Sequence, residues 1–200
     1  MKRALTVRDI QQFSAITLPF DGEWRAMVGC PELTGSWIVW GSSGNGKTRF
    51  ALQLAKYLCR FGRVAYNSLE EGLSLSMQEA IKQVGMTDPD VKRRFCLLDK
   101  ESIKDVEIRL GQRRAPRIVI IDSLQYTGMT YADYKKLRDA HRSTLFIFIS
   151  HAEGTEPKGS VAKSIRYDAN VKISVSNFRA VAQSRYGGGA EYVIWNKPNI

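Results

Sequence analysis

Between the apolar run Trp37-Ile38-Val39-Trp40 and a stretch where Phe50, Leu54, Ala55 and Leu58 recur at helical spacing lies the octapeptide Gly41-Ser42-Ser43-Gly44-Asn45-Gly46-Lys47-Thr48. It fits G-x-x-x-x-G-K-[ST] at every fixed position, with the preceding strand and following helix that the pattern requires. The constraint is physical. Glycines let successive backbone N–H groups turn inward around phosphate oxygens, and the N-terminus of the next helix adds partial positive charge. Lys47 then reaches the β- and γ-phosphates, and Thr48 offers its hydroxyl to Mg²⁺. A glycine-rich turn that only capped a helix would leave the Lys-Thr pair unexplained. All eight residues are therefore expected to bind nucleotide, with ATP and Mg²⁺ as ligands.

Strand-like and helix-like segments alternate beyond this point, which predicts an α/β domain with a mostly parallel central sheet flanked by helices. Gly62 ends the first helix. Val64-Ala65-Tyr66-Asn67 reads as a second strand, Leu73 to Val84 as a helix stopped by Gly85, and Phe95-Cys96-Leu97-Leu98 as a short strand. Ser102 and Asp105 look like a capping box opening a helix to about Arg113, and Pro116 breaks the chain. Arg117-Ile118-Val119-Ile120-Ile121-Asp122 is a continuous β-branched run of the kind a sheet covered on both faces requires. A helix over Tyr131 to Ala140 and a buried strand over Leu145 to Ile149 follow. The polar stretch His151 to Lys163 predicts a loop. Val171 to Ser176, Phe178 to Ser184 and Tyr192 to Trp195 predict strands of a C-terminal antiparallel hairpin, with Gly187-Gly188-Gly189 as a turn. Thr6 to Phe13 predicts one short helix. Residues 1–20 are thus expected as an N-terminal arm suited to an interface, and residues 21–200 as one core without repeats or low-complexity segments.

Asp122 ends the hydrophobic strand, where a nucleotide-binding sheet places the carboxylate associated with Mg²⁺. Alone it would equally suit a turn-forming Asp; the glycine-rich loop favours the metal. Ser123 follows it, so no Asp-Glu doublet supplies a catalytic base. Asn67-Ser68-Leu69-Glu70-Glu71 puts two carboxylates just beyond the second strand, where one could polarise the attacking water. They could instead stabilise the positive end of the helix near Leu73. Glu70 is the first candidate and Glu71 the second.

The order of these features resembles that of the RecA family, most of all its DnaB-helicase, KaiC and RadA branches. A phosphate loop, a strand ending Ser-Leu-Glu-Glu, a strand ending Ile-Asp-Ser and one ending Ile-Ser-His are shared. So is the approach from Trp24 through Gly29 and Gly35, and the likeness extends to about Trp195. His151 with Glu153-Gly154, then Gly159, Asp168, Arg179-Ala180-Val181 and Ser184-Arg185-Tyr186-Gly187, are similar to the RadA arrangement. That resemblance implies a γ-phosphate sensor at His151. It also implies a positive residue at Arg185 presented to the nucleotide of a neighbouring subunit, and hence a homo-oligomeric ring or filament. Gln183-Ser184 departs from the family, which often has Lys-Asn there. The segment Ala152 to Lys163 matches the family's DNA-binding loop, which makes Lys158, Lys163 and Arg166 candidate contacts to single-stranded DNA.

Charge supports a polyanionic partner: 30 Lys and Arg against 20 Asp and Glu give a net +10. A basic surface with no ligand fits the same count. No run approaches eighteen apolar residues and the N-terminus is not signal-like, which predicts a soluble, cytoplasmic protein without membrane partners. Cys30, Cys59 and Cys96 form no Cys-x-x-Cys pair and are expected as reduced, buried thiols. The expected activity is ATP hydrolysis coupled to binding or movement on single-stranded DNA in replication, recombination or repair. Two alternatives are a KaiC-like regulatory ATPase that acts through oligomerisation without nucleic acid, and a P-loop kinase. The kinase fits less well because no arginine-bearing lid segment is seen.

Overall fold

A strand covered on both faces needs a continuous apolar run, and four neighbouring strands of this chain supply one in Trp37–Trp40, Val64–Tyr66, Ile118–Ile121 and Leu145–Ile149. The computed structural model describes residues 3–196; residues 1–2 of the expected arm and 197–200 of the expected core lie outside the described residues. The elements of the first half are α1 (Val7–Gln11), α2 (Gly22–Val28), β1 (Gly35–Gly41), α3 (Lys47–Leu58), β2 (Val64–Ser68), α4 (Leu75–Val84) and α5 (Pro89–Arg94). Next come β3 (Phe95–Asp99), α6 (Ile103–Leu110), β4 (Ile118–Asp122), a 3-10 turn (Leu124–Tyr126), α7 (Tyr131–Ala140) and β5 (Leu145–Glu153). The chain closes with β6 (Glu156–Pro157), α8 (Ser160–Asp168), β7 (Val171–Ser176), β8 (Arg179–Ser184) and β9 (Tyr192–Val193).

The strands lie in the order β3-β2-β4-β5-β1-β7-β8-β9, with β6 paired to β5 off this path. From β3 to β7 every pairing is parallel, while β8 and β9 add antiparallel. Alternate strand residues divide between two cores. Trp37, Val39, Ile118, Ile120, Ile147 and Ile173 pack with α2 to α5, whereas Ile38, Val119, Ile121, Phe146 and Phe148 pack with α6 to α8. Each fully buried aliphatic or aromatic side chain contributes about 1.5–3 kcal/mol, so this pair of cores dominates the fold's stability.

Helix ends follow local chemistry. Ser74 Oγ accepts from Met77 N at 3.1 Å to start α4, and Gly85, at φ +70°, ends it in the left-handed conformation that favours glycine. Thr130 and Asp133 form a capping box for α7, and Thr6 and Asp9 one for α1. The helix in the arm is therefore as expected, yet it buries nothing: Leu5, Val7, Ile10, Phe13 and Ile16 are all exposed.

Several expectations need correction. The stretch His151 to Lys163 is not a loop: β5 runs on to Glu153, turns back through β6, and α8 begins at Ser160. The helix expected to Arg113 ends at Leu110, and the last strand covers only Tyr192–Val193. Phe178 belongs to the β7–β8 turn, at φ +58°, rather than to the strand. Gly187-Gly188-Gly189 does not turn between paired strands alone; Gly189 N and Ala190 N donate to Met27 O and Ala26 O, docking the segment on α2. Helices α2 and α5 were not expected at all. Cys59 is buried, and burial pushes its thiol up to about 11, but Cys96 is exposed.

Candidate nucleotide site

Loops at the C-terminal ends of β1, β2, β4 and β5 converge on one cleft, as open parallel sheets require of their ligand sites. The cleft measures about 330 Å³ and is lined by Ser43, Gly44, Gly46, Lys47, Thr48, Arg49, Glu70, Glu71, Asp122, His151 and Phe178. A hollow of about 670 Å³ lies behind α3 between Trp24, Tyr57, Val84, Val91 and Tyr192. It contains none of the glycine-rich loop, so size does not decide the site.

The loop is held open by its own polar groups. Asn45 Nδ2 donates to the carbonyls of Ser42 (3.4 Å) and Ser43 (3.3 Å), and its Oδ1 accepts from Asn177 N at 2.8 Å. Lys47 Nζ donates to Ser42 O at 3.0 Å, curled back over the cradle. Burial lowers the Lys47 ammonium from its ordinary value, against the pull of Asp122 and Glu70. Gly44 and Gly46 take φ +75° and +92°, and a Cβ on Gly46 would lie 2.9 Å from Phe178 Cδ1. Gly46 caps α3 with no side-chain acceptor, which leaves the helix's first N–H groups for an anion.

Asp122 is 7% exposed and accepts a hydrogen bond from the buried Tyr66 hydroxyl. Burial raises its carboxyl to about 6; the Tyr66 bond and Lys47 oppose the rise, while Glu70 and Glu71 reinforce it. A cation in the cleft would reverse this balance. Among the described residues no group of three or more His, Cys, Asp or Glu side chains gathers to hold a metal. Thr48 and Asp122 line this same cleft, and two protein oxygen donors could hold a Mg²⁺ that arrives with phosphate ligands, as Mg²⁺ commonly does.

Glu70 and Glu71 diverge. Glu70 Oε2 lies 3.1 Å from His151 Nε2 and accepts from Ser123 Oγ at 3.4 Å, while the N–H groups of Leu69 and Glu70 donate to Asp122 O. Glu71 accepts from Ser76 Oγ at 2.9 Å, at the start of α4. Both line the cleft, but Glu70 is held against His151 and Ser123 while Glu71 is held at the helix start.

Other candidates sit apart. Lys158 N donates to His151 O at 2.8 Å, placing that lysine beside the cleft. Lys163 and Arg166, on α8, face Glu153 at 3.8 Å and Glu156 at 2.9 Å. Arg185 follows β8, whose Ser184 pairs with Val171 at the start of β7, so it stands at the opposite end of the sheet from its own Lys47. Within one chain it does not reach the phosphate loop.

Five further side chains contribute that the sequence alone does not mark. Tyr66 holds Asp122. Gln125 accepts from His151 N at 3.2 Å and donates to Ser150 Oγ and Lys158 O at 2.8 and 3.0 Å, fixing the end of β5. Phe178 and Trp195 meet edge to face at 5.4 Å beside Gly46, and the Arg49 guanidinium lies 5.2 Å from the Trp195 ring. Only tertiary structure unites these groups; no local pattern marks them.

No protein-family model matches the chain, and no curated protein matches it. Among solved structures it is similar to one described as an ATPase domain, with TM-score 0.56 and 17% sequence identity over 80% of this chain and 80% of that one. At that identity the likeness establishes the fold, which is RecA-like: a mostly parallel sheet flanked by helices with antiparallel strands at the C-terminal end.

Proposed function

We propose that this chain is an ATPase that hydrolyses Mg·ATP in the cleft and couples turnover to single-stranded DNA as a homo-oligomer. The observation that carries the reading is the convergence of Lys47, Thr48, Asp122 and Glu70 on one cleft of about 330 Å³. Lys47 would leave Ser42 O for the β- and γ-phosphates, and the loop amides with the α3 N-terminus would hold the remaining oxygens. Thr48 and Asp122 would hold the Mg²⁺, which neutralises charge on the phosphate oxygens when bound. Glu70 would accept the proton of the attacking water as the water oxygen bonds to the γ-phosphorus and the bond to the β-phosphate breaks, releasing ADP. Ser123 and His151 orient that carboxylate. Arg185 would act on a neighbour's nucleotide, stabilising charge on the transferring group.

The DNA part of the reading rests on the net charge of +10 and on Lys158 beside the cleft, since Lys163 and Arg166 already face glutamates. Self-association is supported by the arm's run of exposed large apolar residues, Leu5, Val7, Ile10, Phe13 and Ile16. No described helix is long and apolar enough to cross a membrane. The deciding experiment measures phosphate release, products and oligomeric state with and without single-stranded DNA. Stimulated ADP and phosphate release by an oligomer is the expected result. Turnover indifferent to DNA would favour a KaiC-like regulator, and phosphate recovered on another acceptor would favour a kinase.

A further inference from the structure

The N-terminal ends of the parallel strands carry a chemistry that the nucleotide cleft does not use. Arg63, Arg94 and Arg117 are the residues just before β2, β3 and β4. Because Val64 pairs with both Phe95 and Ile118, these arginines stand abreast along the sheet edge. Beside them Arg93, Arg109, Arg113 and Arg114 rim a hollow of about 330 Å³ floored by Phe95, Cys96 and Pro116.

The arrangement is held by specific bonds. Arg114 takes φ +65°, a conformation uncommon for a residue with a side chain, and its carbonyl accepts from Arg63 Nη1 at 2.9 Å. Arg94 Nη1 donates to the carbonyls of Cys59 and Arg60 at 2.9 and 3.0 Å. Arg109 pairs with Glu101. Among the described residues no carboxylate lies within 4.0 Å of Arg63, Arg93, Arg94, Arg113 or Arg114. Five guanidiniums around one hollow repel one another unless a polyvalent anion offsets them.

Residue type narrows the ligand. Every cation at the hollow is arginine, whose planar fork matches phosphate oxygens two at a time, whereas lysine offers only a point charge. The one ring there, Phe95, packs partly against the core, so no stacking platform for bases is offered. We propose that this edge binds the phosphate backbone of single-stranded nucleic acid without reading sequence. The inference rests on the nucleic-acid part of the function proposed above, and it moves the main contact from Lys158, Lys163 and Arg166 to the other end of the sheet. A five-residue strand such as β2 separates the two ends by about 16 Å.

The test is fluorescence anisotropy of labelled oligo-dT against potassium chloride concentration, with four forms of the full chain. The first is the parent and the second Arg93→Gln/Arg113→Gln/Arg114→Asn; none of these three side chains donates a hydrogen bond among the described residues, and Asn tolerates the left-handed backbone. The third, Lys82→Gln/Lys135→Gln/Lys136→Gln, removes equal charge from α4 and α7. The fourth is Lys158→Gln/Lys163→Gln/Arg166→Gln. The arginine triple should flatten the log–log salt slope by about 2, at about 0.7 per lost contact to a single strand, while the other triples change it by less than one contact. Its basal ATP turnover should equal the parent's. Arg113→Glu alone gives an independent reading and should weaken binding more than Lys136→Glu does. An arginine triple with the parent's slope overturns the inference, as does a Lys82 triple that flattens equally. Loss in the fourth form alone overturns it while leaving the proposed function standing. A parent that binds no oligo-dT at low salt overturns both the inference and the DNA coupling. Competition by polyglutamate as strong as that by unlabelled oligo-dT overturns it too, reassigning the edge to an acidic protein.

Discussion

His151 Nε2 lies 3.1 Å from Glu70 Oε2, bridging the end of β5 to the loop after β2. The backbone beneath each is anchored, at His151 by an N–H donated to Gln125 Oε1 and at Glu70 by an N–H donated to Asp122 O. Of the three carboxylates that line the cleft, Glu70 is the one held against His151 and Ser123. Glu70→Gln keeps the shape and removes the base, so turnover should fall by about 10²–10⁴-fold while ATP affinity stays within a few-fold of the parent. Parallel ATPase assays and nucleotide titrations check this. The same loss in Glu71→Gln, with Glu70→Gln unchanged, would transfer the role.

Lys47 is the only side-chain cation that the glycine-rich loop directs into the cradle. Lys47→Ala should weaken ATP binding by about 1.5–3 kcal/mol, roughly ten- to 150-fold, the range for hydrogen bonds to charged groups. Calorimetric titration gives the value, and unchanged affinity would refute the phosphate-loop assignment.

Asp122 sets a pH dependence in the ligand-free protein. Its carboxyl titrates near 6 in the fold against 3.8 unfolded, so the folded state holds the proton more tightly. Stability from this group is complete below about pH 4, declines as pH rises, and is lost above about pH 6. Asp122→Asn has no such loss. The variant should match the parent near pH 4 and exceed it by about 2–3 kcal/mol above pH 6, at 1.36 kcal/mol per unit. Urea unfolding at several pH values without Mg²⁺ tests this, and a parent equally stable across the window would contradict it.

Arg185 stands at the far end of the sheet from its own Lys47, so any role at a nucleotide is across an interface. Arg185→Ala and Lys47→Ala chains should each be inactive alone. Mixed, they form some intact composite sites and should recover part of the parent's turnover. If mass spectrometry shows mixed oligomers without recovery, the trans role is ruled out.

Gly188 fixes the C-terminal segment to α2. At φ +86°, a Cβ there would lie 2.5 Å from Met27 O and 2.7 Å from Val28 N, both backbone atoms that cannot step aside. Gly188→Ala should cost at least about 2 kcal/mol, lowering Tm by roughly 4–8 °C in a thermal melt. Gly189→Ala, with nothing within 4 Å, should cost less despite its own positive φ.

The elements legible in the sequence were those whose signal is local. Ile118 to Ile121 announces a doubly covered strand, and Gly41 to Thr48 carries its own strand and helix context. Asp88 before Pro89 is a readable helix start, but six-residue α5 shows too little periodicity to support it. Helix α8 hid behind its polar entry, although Ala162, Ile165 and Ala169 lie on one apolar face. The expected site residues that line the cleft are those in the phosphate loop and at strand ends, where position follows from the element. Tyr66 looked like another core aromatic because its partner Asp122 comes 56 residues later. Lys163 and Arg166 looked free because Glu153 and Glu156 meet them only once the hairpin folds back.

The placement of β1 has a consequence for how the chain acquires its structure during synthesis. Residues 35–41 pair only with β5 and β7, whose partner residues begin at Leu145 and Val171. Strands β2, β3 and β4 are neighbours drawn from a continuous segment of the chain and can assemble first. The glycine-rich loop must wait until most of the polypeptide has left the ribosome, since loop closure of that length is slow. Until then Trp37-Ile38-Val39-Trp40 is an unpaired apolar edge open to association with other nascent chains. Pulse-labelled hydrogen exchange should find β2 and β4 amides protected before those of β1; simultaneous protection would indicate that the sheet forms as one unit.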